Sequence, residues 1–298
     1  MSAPADGAGG PAGAATGNGA GPEARLRLGG MALRNGLLIH GPHAWAAAAR
    51  TRDGQIEVSS GPKPVLSRGR LGSMPLLRGP LRLAEAFALV PLARRRLPAA
   101  RLPVEDRRVV AIGLATATVS AAIRRLGPAS VAREGVVAIL GLLPAAAALR
   151  DRDLAAYHGV EHKAIGAYER GSSNPAEAPK EHERCGSNLI APLLGLSVAG
   201  QLIVERLFPR PGPVHRGLAA VAGVSGAVEI FAYAERRPDS PLGRSIHSVG
   251  HEIQRLFSTR EPTPDQLEVG SAALREVLRA EAALAGRVQS GEGTADTL

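Results

Sequence analysis

Residues 157–188 read YHGVEHKAIGAYERGSSNPAEAPKEHERCGSN, and the rest of the chain is organised around them. His158, Glu161 and His162 form H-x-x-E-H, and His182 with Cys185 follows as H-x-x-C. On a helix, His158 and His162 are i and i+4 and share one face. Glu161 lies beside them, within reach of a water held there. The pattern is that of inverted zincins, in which the histidines hold zinc and the glutamate is the general base. In a chain with eight histidines, a chance occurrence is expected about once per hundred such chains. The sole cysteine, three residues from another histidine, lowers that chance further.

Two apolar runs precede this stretch, Val109–Ile123 and Gly135–Leu149, and two follow it, Leu189–Val204 and Gly217–Ala234. Each is short against the ~20 residues that usually cross a bilayer. Four of them, flanked by arginines rather than acidic caps, predict membrane spans. Hydrophobic residues make up 45% of the chain and aromatics only 3%. The apolar content is therefore mostly Ala, Leu and Val, which suits helices packing through small side chains. A mean hydropathy of +0.01 decides nothing, because long polar ends dilute the runs. The expected fold is mainly α: a polytopic membrane helical bundle of about four spans, with a small β-rich N-terminal unit and a C-terminal amphipathic helix.

The ends fill in the rest. Residues 1–24, rich in Gly, Ala and Pro, have too little apolar surface to order themselves. Residues 25–66 predict two to four strands, with Asp53-Gly54 as a hairpin turn and Trp45 as a core or interface anchor. Residues 67–108 predict an interfacial or re-entrant helix, with Leu83, Phe87 and Val90 on one face, then a basic linker. Residues 109–234 form the membrane domain around a metal-motif loop at 150–188. Residues 235–298 form a polar tail, in which Thr263, Pro264 and Gln266 start a helix as N-cap, N1 and N3. Leu267, Leu274, Val277 and Leu278 give that helix one apolar stripe.

The net charge of +9 raises nucleic acid as a partner, but no nucleic-acid module is present. The arginines gather beside the apolar segments, which points to the lipid bilayer instead. Their distribution places the amino end, the central loop and the carboxyl end in the cytoplasm, in a multi-pass protein of the bacterial inner membrane. One cysteine forms no intramolecular disulfide and fits the reducing side. Glu229, inside the last run, is a functional candidate because a charge there is costly; the plainer reading is that it faces an arginine. His247 and His251 make a second i, i+4 pair with no third ligand nearby.

YHGVEHKAI, HERCGS, TREPTPDQLEV and, more weakly, GGMALRNGLLIHGPHAW resemble the YqhQ-like bacterial membrane proteins of unknown function, some of them labelled metal-dependent enzymes. The resemblance runs from about Arg25 to Leu278. It implies a polytopic inner-membrane protein and carries over His158, Glu161, His162, His182 and Cys185, with Glu85 and Glu229 at acidic positions. His247 and His251 fall outside the pattern. Met31, Asn35 and His40 stand where the family has glutamine, glutamate and arginine, and Glu183 replaces a proline.

Three functions follow as expectations. The first is a metal-dependent hydrolase of unknown substrate. His158 and His162 bind a divalent metal, zinc first and iron or manganese next; His182 or Glu229 is the third ligand, Glu161 the general base, and Lys163 an oxyanion stabiliser. The second is a non-enzymatic membrane scaffold for an unknown protein partner, in which Cys185 closes a four-ligand structural zinc site. A transporter with Glu229 on an ion path is third; no inverted-repeat signature supports it.

Overall fold

The computed structural model describes residues 25–67 and 69–289; the expectation for residues 1–24 lies outside them. Four strands, β1 (Gly29–Leu33), β2 (Gly36–His40), β3 (Ala44–Arg50) and β4 (Ile56–Pro62), form one antiparallel meander in sequence order. The register runs Leu37↔Ala48 between β2 and β3, and Ala48↔Val58 between β3 and β4. Gly54, at φ 87°, turns β3 into β4 where Asp53-Gly54 predicts it; only glycine takes that backbone without strain.

Among the described residues ten α-helices follow: α1 (Arg70–Ser73), α2 (Arg78–Arg96), α3 (Arg107–Ile123), α4 (Val131–Leu140), α5 (Leu143–Ala148), α6 (Arg152–Arg170), α7 (Ile190–Leu207), α8 (Pro213–Arg236), α9 (Pro241–Ile253) and α10 (Pro264–Gln289). A π-helix, Gln254–Ser258, extends α9.

The sheet is covered on both faces, and the alternation of its side chains sorts two cores. Leu37, Ile39, Ala46 and Ala48 pack with Tyr157 and Val160 of α6 and with Val269, Ala273 and Val277 of α10. Leu33, Leu38, Trp45, Ala47 and Ala49 pack with Leu89 and Ala93 of α2. Six consecutive residues of β3, Ala44 to Ala49, are buried. Their run of alanines lets helices approach closely on either side. Trp45 is 1% exposed and is a core residue.

On α2 the residues turned inward are Glu85, Leu89 and Ala93, whereas Leu83 and Phe87 of the expected apolar face are exposed. The reason lies in the sheet, whose alanine face takes Leu89 and Ala93. Glu85 accepts from the amides of Leu66 and Ser67 at 2.7 and 2.6 Å and so fixes the chain entering α2.

α10 begins with a reciprocal cap. The Gln266 amide donates to Thr263 Oγ1 at 3.3 Å, and the Thr263 amide donates to Gln266 Oε1 at 3.0 Å. Val269, Ala273 and Val277 are its fully buried residues, flanked by Leu267, Leu274 and Leu278.

Beyond this head, three helical stretches are long and apolar enough to cross a membrane: Val131–Ala148, Gly186–Leu207 and Pro213–Arg236. Four runs are expected from sequence; α3, the first of them, has 17 residues. Their far ends are tied by buried charge: Glu134 pairs with Arg124 and Arg133 at 2.9 and 3.0 Å, and Glu205 with Arg133 and Arg216 at 2.6 and 3.0 Å.

Candidate metal centre

The residues between the second and third apolar runs fold as α6, the most enclosed helix of the head. Asp151 caps its start by accepting from the amides of Asp153 and Leu154 at 3.0 and 3.3 Å. Gly171, at φ 74°, ends it in the left-handed conformation, a common helix terminator. Small residues let the helix sit between β1, β2 and α10. A Cβ at Gly159 would collide with the Arg260 carbonyl oxygen, so glycine there admits the chain that follows the π-helix.

That approach has a chemical consequence. His158 Nδ1 lies 2.8 Å from the Ser258 carbonyl oxygen, and His162 Nδ1 lies 2.6 Å from that of Lys180. A carbonyl only accepts, so both Nδ1 atoms carry protons, which leaves Nε2 as the position that can donate a lone pair. The one-turn spacing stacks the rings with centroids 4.4 Å apart. Cys185 Sγ is 3.5 Å from His158 Nε2. One donor atom from each of His158, His162 and Cys185 lies within 4.8 Å of the others. Histidines oriented by main-chain carbonyls are the usual supporting arrangement of metal ligands.

Burial holds His162 well below the usual imidazole value, with the charge of His158 acting the same way, so the ring is neutral at pH 7. Burial also pushes the Cys185 thiol up to about 11, against the hydrogen bonds from Ser187. The donor set fits a divalent transition ion: two imidazoles and one sulfur, mutually close, with His162 and Cys185 buried and His158 half-buried.

Glu161 is 9% exposed. Burial raises its carboxyl above the usual range, and the nearby His158 and His182 draw it back down. Its side chain lies against Gly30 of β1, where a Cβ would come within 2.7 Å of Glu161 Cγ. Gly30, the second glycine of the strand motif, thus makes room for this carboxylate. Glu161 makes no hydrogen bond or ion pair with the described residues, and it lies outside the three-residue donor cluster.

The structure does not bring the other candidates into the cluster. His182 uses both ring nitrogens: Nε2 donates to Glu169 Oε2 at 3.0 Å, and Nδ1 accepts from the Arg184 amide at 3.2 Å. Gln254 of the π-helix bonds both sides of the His182 backbone, at 2.7 and 3.2 Å. Lys163 gives its three donors to the Ala176 and Ala178 carbonyls, at 3.1 and 2.8 Å, and to Glu261 at 2.6 Å. Glu229 is held by Arg78, with Nε to Oε1 at 2.8 Å, and by the Leu76 amide at 3.2 Å. It faces an arginine, the plainer of its two readings. Sequence reasoning missed Ser258, Lys180, Glu169 and Gln254. The first two act through main-chain carbonyls, which carry no residue signature. The specific string at Thr259–Val269 was the available signal, because it begins where the chain docks on α6.

His158 also lines a cavity of about 930 Å³ on the apolar-helix side, and His182 lines a separate polar one of about 740 Å³.

Residues 134–280 match a family model described as "Protein of unknown function (DUF1385)". This stretch contains His158, Glu161, His162 and Cys185. The chain is similar to the uncharacterized protein YqhQ of Bacillus subtilis (strain 168), with 30% identity over 132 residues, 42% of this chain and 41% of that protein. The match thus spans about two fifths of the relative's length. No solved structure matches. The two matches support a YqhQ-like family of unknown function.

Proposed function

We propose that this protein is a membrane-embedded metal-dependent enzyme, a hydrolase, built on His158, His162 and Cys185. The observation that carries the reading is a pair of imidazoles locked by main-chain carbonyls through Nδ1, with the Cys185 sulfur 3.5 Å from the Nε2 of His158. Three protein donors leave a coordination position open for water, the arrangement of catalytic rather than structural zinc sites. Zinc in that position supplies a Lewis acid that makes water nucleophilic near neutral pH. Glu161 is the general base: it is buried and without a partner among the described residues. Lys163 and His182 serve as clamps. Lys163 ties α6 to the 176–178 turn and to Glu261, and His182 ties the Cys185 turn to Glu169. With α3 and the Val131–Ala148 stretch crossing as one pair and Gly186–Leu207 and Pro213–Arg236 as another, the sheet, α6 and α10 stay on one side, and the arginine distribution favours the cytoplasmic side of a bacterial inner membrane for it.

A second reading, a scaffold with a structural zinc, is favoured by the depth of the cluster, since His162 is 3% and Cys185 8% exposed. In that reading Glu161 swings in as the fourth ligand.

One experiment separates them. The protein is purified from membranes in mild detergent, metal is counted by mass spectrometry, and the cobalt-substituted visible spectrum is recorded. About one metal per chain is expected, lost in His158→Ala and in His162→Ala. Glu161→Gln is expected to retain both metal and cobalt spectrum if Glu161 is a base. A changed spectrum in Glu161→Gln supports the closed site, and a folded wild type that takes up no metal overturns both readings.

A further inference from the structure

The cavity beside His158 has a composition unlike the rest of the head. Its walls come from Ala145 and Leu149 at the end of one apolar stretch, Ile190 at the start of another, and Ile253, Leu256 and Phe257 of α9 and the π-helix. Leu256 and Phe257 are 55% and 70% exposed, an apolar surface presented where two candidate spans meet the head. Its charged residues are Arg150, Lys180, Arg255 and Arg260, and no acidic residue lines it among those described. Two of these cations are matched, Lys180 by Glu181 at 2.6 Å and Arg255 by Glu252 at 2.7 Å. Arg150 and Arg260 are exposed and have no side-chain partner among the described residues. Ser258, 4% exposed, also lines the cavity, and its Oγ is buried without a hydrogen-bond partner. An apolar trough, two unmatched guanidiniums and a free hydroxyl thus converge at the His158 end of the metal cluster.

We propose that this cavity is the substrate site and that its occupant is an anionic phospholipid, with an acyl chain along Leu149, Ile253 and Phe257 and its phosphate between Arg150 and Arg260. This rests on the metal-site reading for its chemistry but not for its binding. A volume of about 930 Å³ lies within the usual range of small-molecule sites. Guanidinium is the side chain best matched to phosphate oxygens. The mouth lies at the ends of the stretches Val131–Ala148 and Gly186–Leu207, where headgroups sit once those stretches are inserted. Hydrolysis of an ester of this lipid needs only water as co-reactant. The hydroxyl goes to the carbon or phosphorus of the ester, the ester bond to the leaving oxygen breaks, and the water's proton passes through Glu161 to that oxygen.

The test uses the full chain in detergent with dihexanoyl-phosphatidylglycerol, dihexanoyl-phosphatidylcholine and inorganic phosphate as probes. Binding is read by calorimetry, and metal content is measured on the same samples. The glycerol lipid is expected to bind about tenfold tighter than the choline lipid, and Arg150→Gln with Arg260→Gln to remove that preference. Phe257→Ser is expected to weaken both lipids alike, and phosphate alone not to compete. Equal binding of the two lipids, a preference that survives the arginine substitutions, or full competition by phosphate overturns the proposal. His158→Ala separates the two layers. Selective lipid binding in a wild type that holds no metal sinks the enzyme reading and leaves this site standing. Metal without lipid selectivity does the reverse.

Discussion

The head and the apolar helices bury their hydrophobic residues in opposite ways. In α6, 13 of 19 residues are buried, between a sheet and α10. In the stretch Val131–Ala148 only 11% of residues are buried, and in the most apolar 18 residues of each of the other two 22%. Leu114, Ile203 and Leu218 are more than half exposed. The head completes its core within the chain, as a water-soluble domain does. The apolar helices leave that work to their surroundings, which is how lipid-facing helices differ from buried ones. The candidate site lies on the seam, with two donors on α6 and the third on the turn leading into α7.

Four substitutions or conditions test that contrast. The largest effect is expected for Glu281→Ala in the head. Glu281 is 5% exposed and accepts from the amides of His43 and Ala44, each at 2.7 Å. Its removal leaves the buried Ala44 amide and the half-buried His43 amide unpaired, costing about 4 kcal/mol, read as a lower denaturant midpoint of the head. Next comes Val221→Arg, on an exposed position nearer the middle of α8, which is expected to disfavour insertion by about 3 kcal/mol. It is measured as the inserted fraction in a membrane-integration assay. An unchanged fraction would mean that α8 does not face lipid.

The third test is pH. Burial pushes His40 down to about 4, helped by the positive charge of Lys63. The unfolded imidazole takes a proton near 6.5, above the folded value, so the unfolded state gains protons first as pH falls. Stability of the head is therefore full above about pH 6.5 and declines towards pH 4, by about 2 kcal/mol after discounting partial exposure. Replacing His40 with Gln is expected to flatten that slope. The smallest effect is expected for Thr263→Ala, which removes one half of the α10 cap for about 1 kcal/mol, seen as faster amide exchange in the first turn. If the head and the apolar helices were one cooperative unit, the head substitutions would also lower insertion of α8.

Sequence exposed the parts of this molecule whose signal is local. The Gly54 turn, the Thr263–Gln266 cap and the shared face of His158 and His162 each depend on spacing within a few residues. The inward face of α2 depended on the alanines of β3, some forty positions earlier, so the apolar stripe through Leu83 and Phe87 misled. The site divided in the same manner. His158, His162 and Cys185 were readable as residue types. Glu169 claimed His182, and Glu261 claimed Lys163, through contacts that no short window contains. Glu229 found Arg78 more than a hundred positions away.

The π-helix at Gln254–Ser258 carries one more residue per turn than the helix it extends, marked by the Thr259 amide bonding to the Gln254 carbonyl. The carbonyl on His158 is thus set by a residue count, not by a side chain. Insertions and deletions, more than point substitutions, are the changes to which His158 is most vulnerable. Losing one residue from this segment would rotate all that follows by about 100° about the helix axis and carry the Ser258 carbonyl off the imidazole. The length of this five-residue stretch is therefore under as tight a constraint as the identity of any ligand.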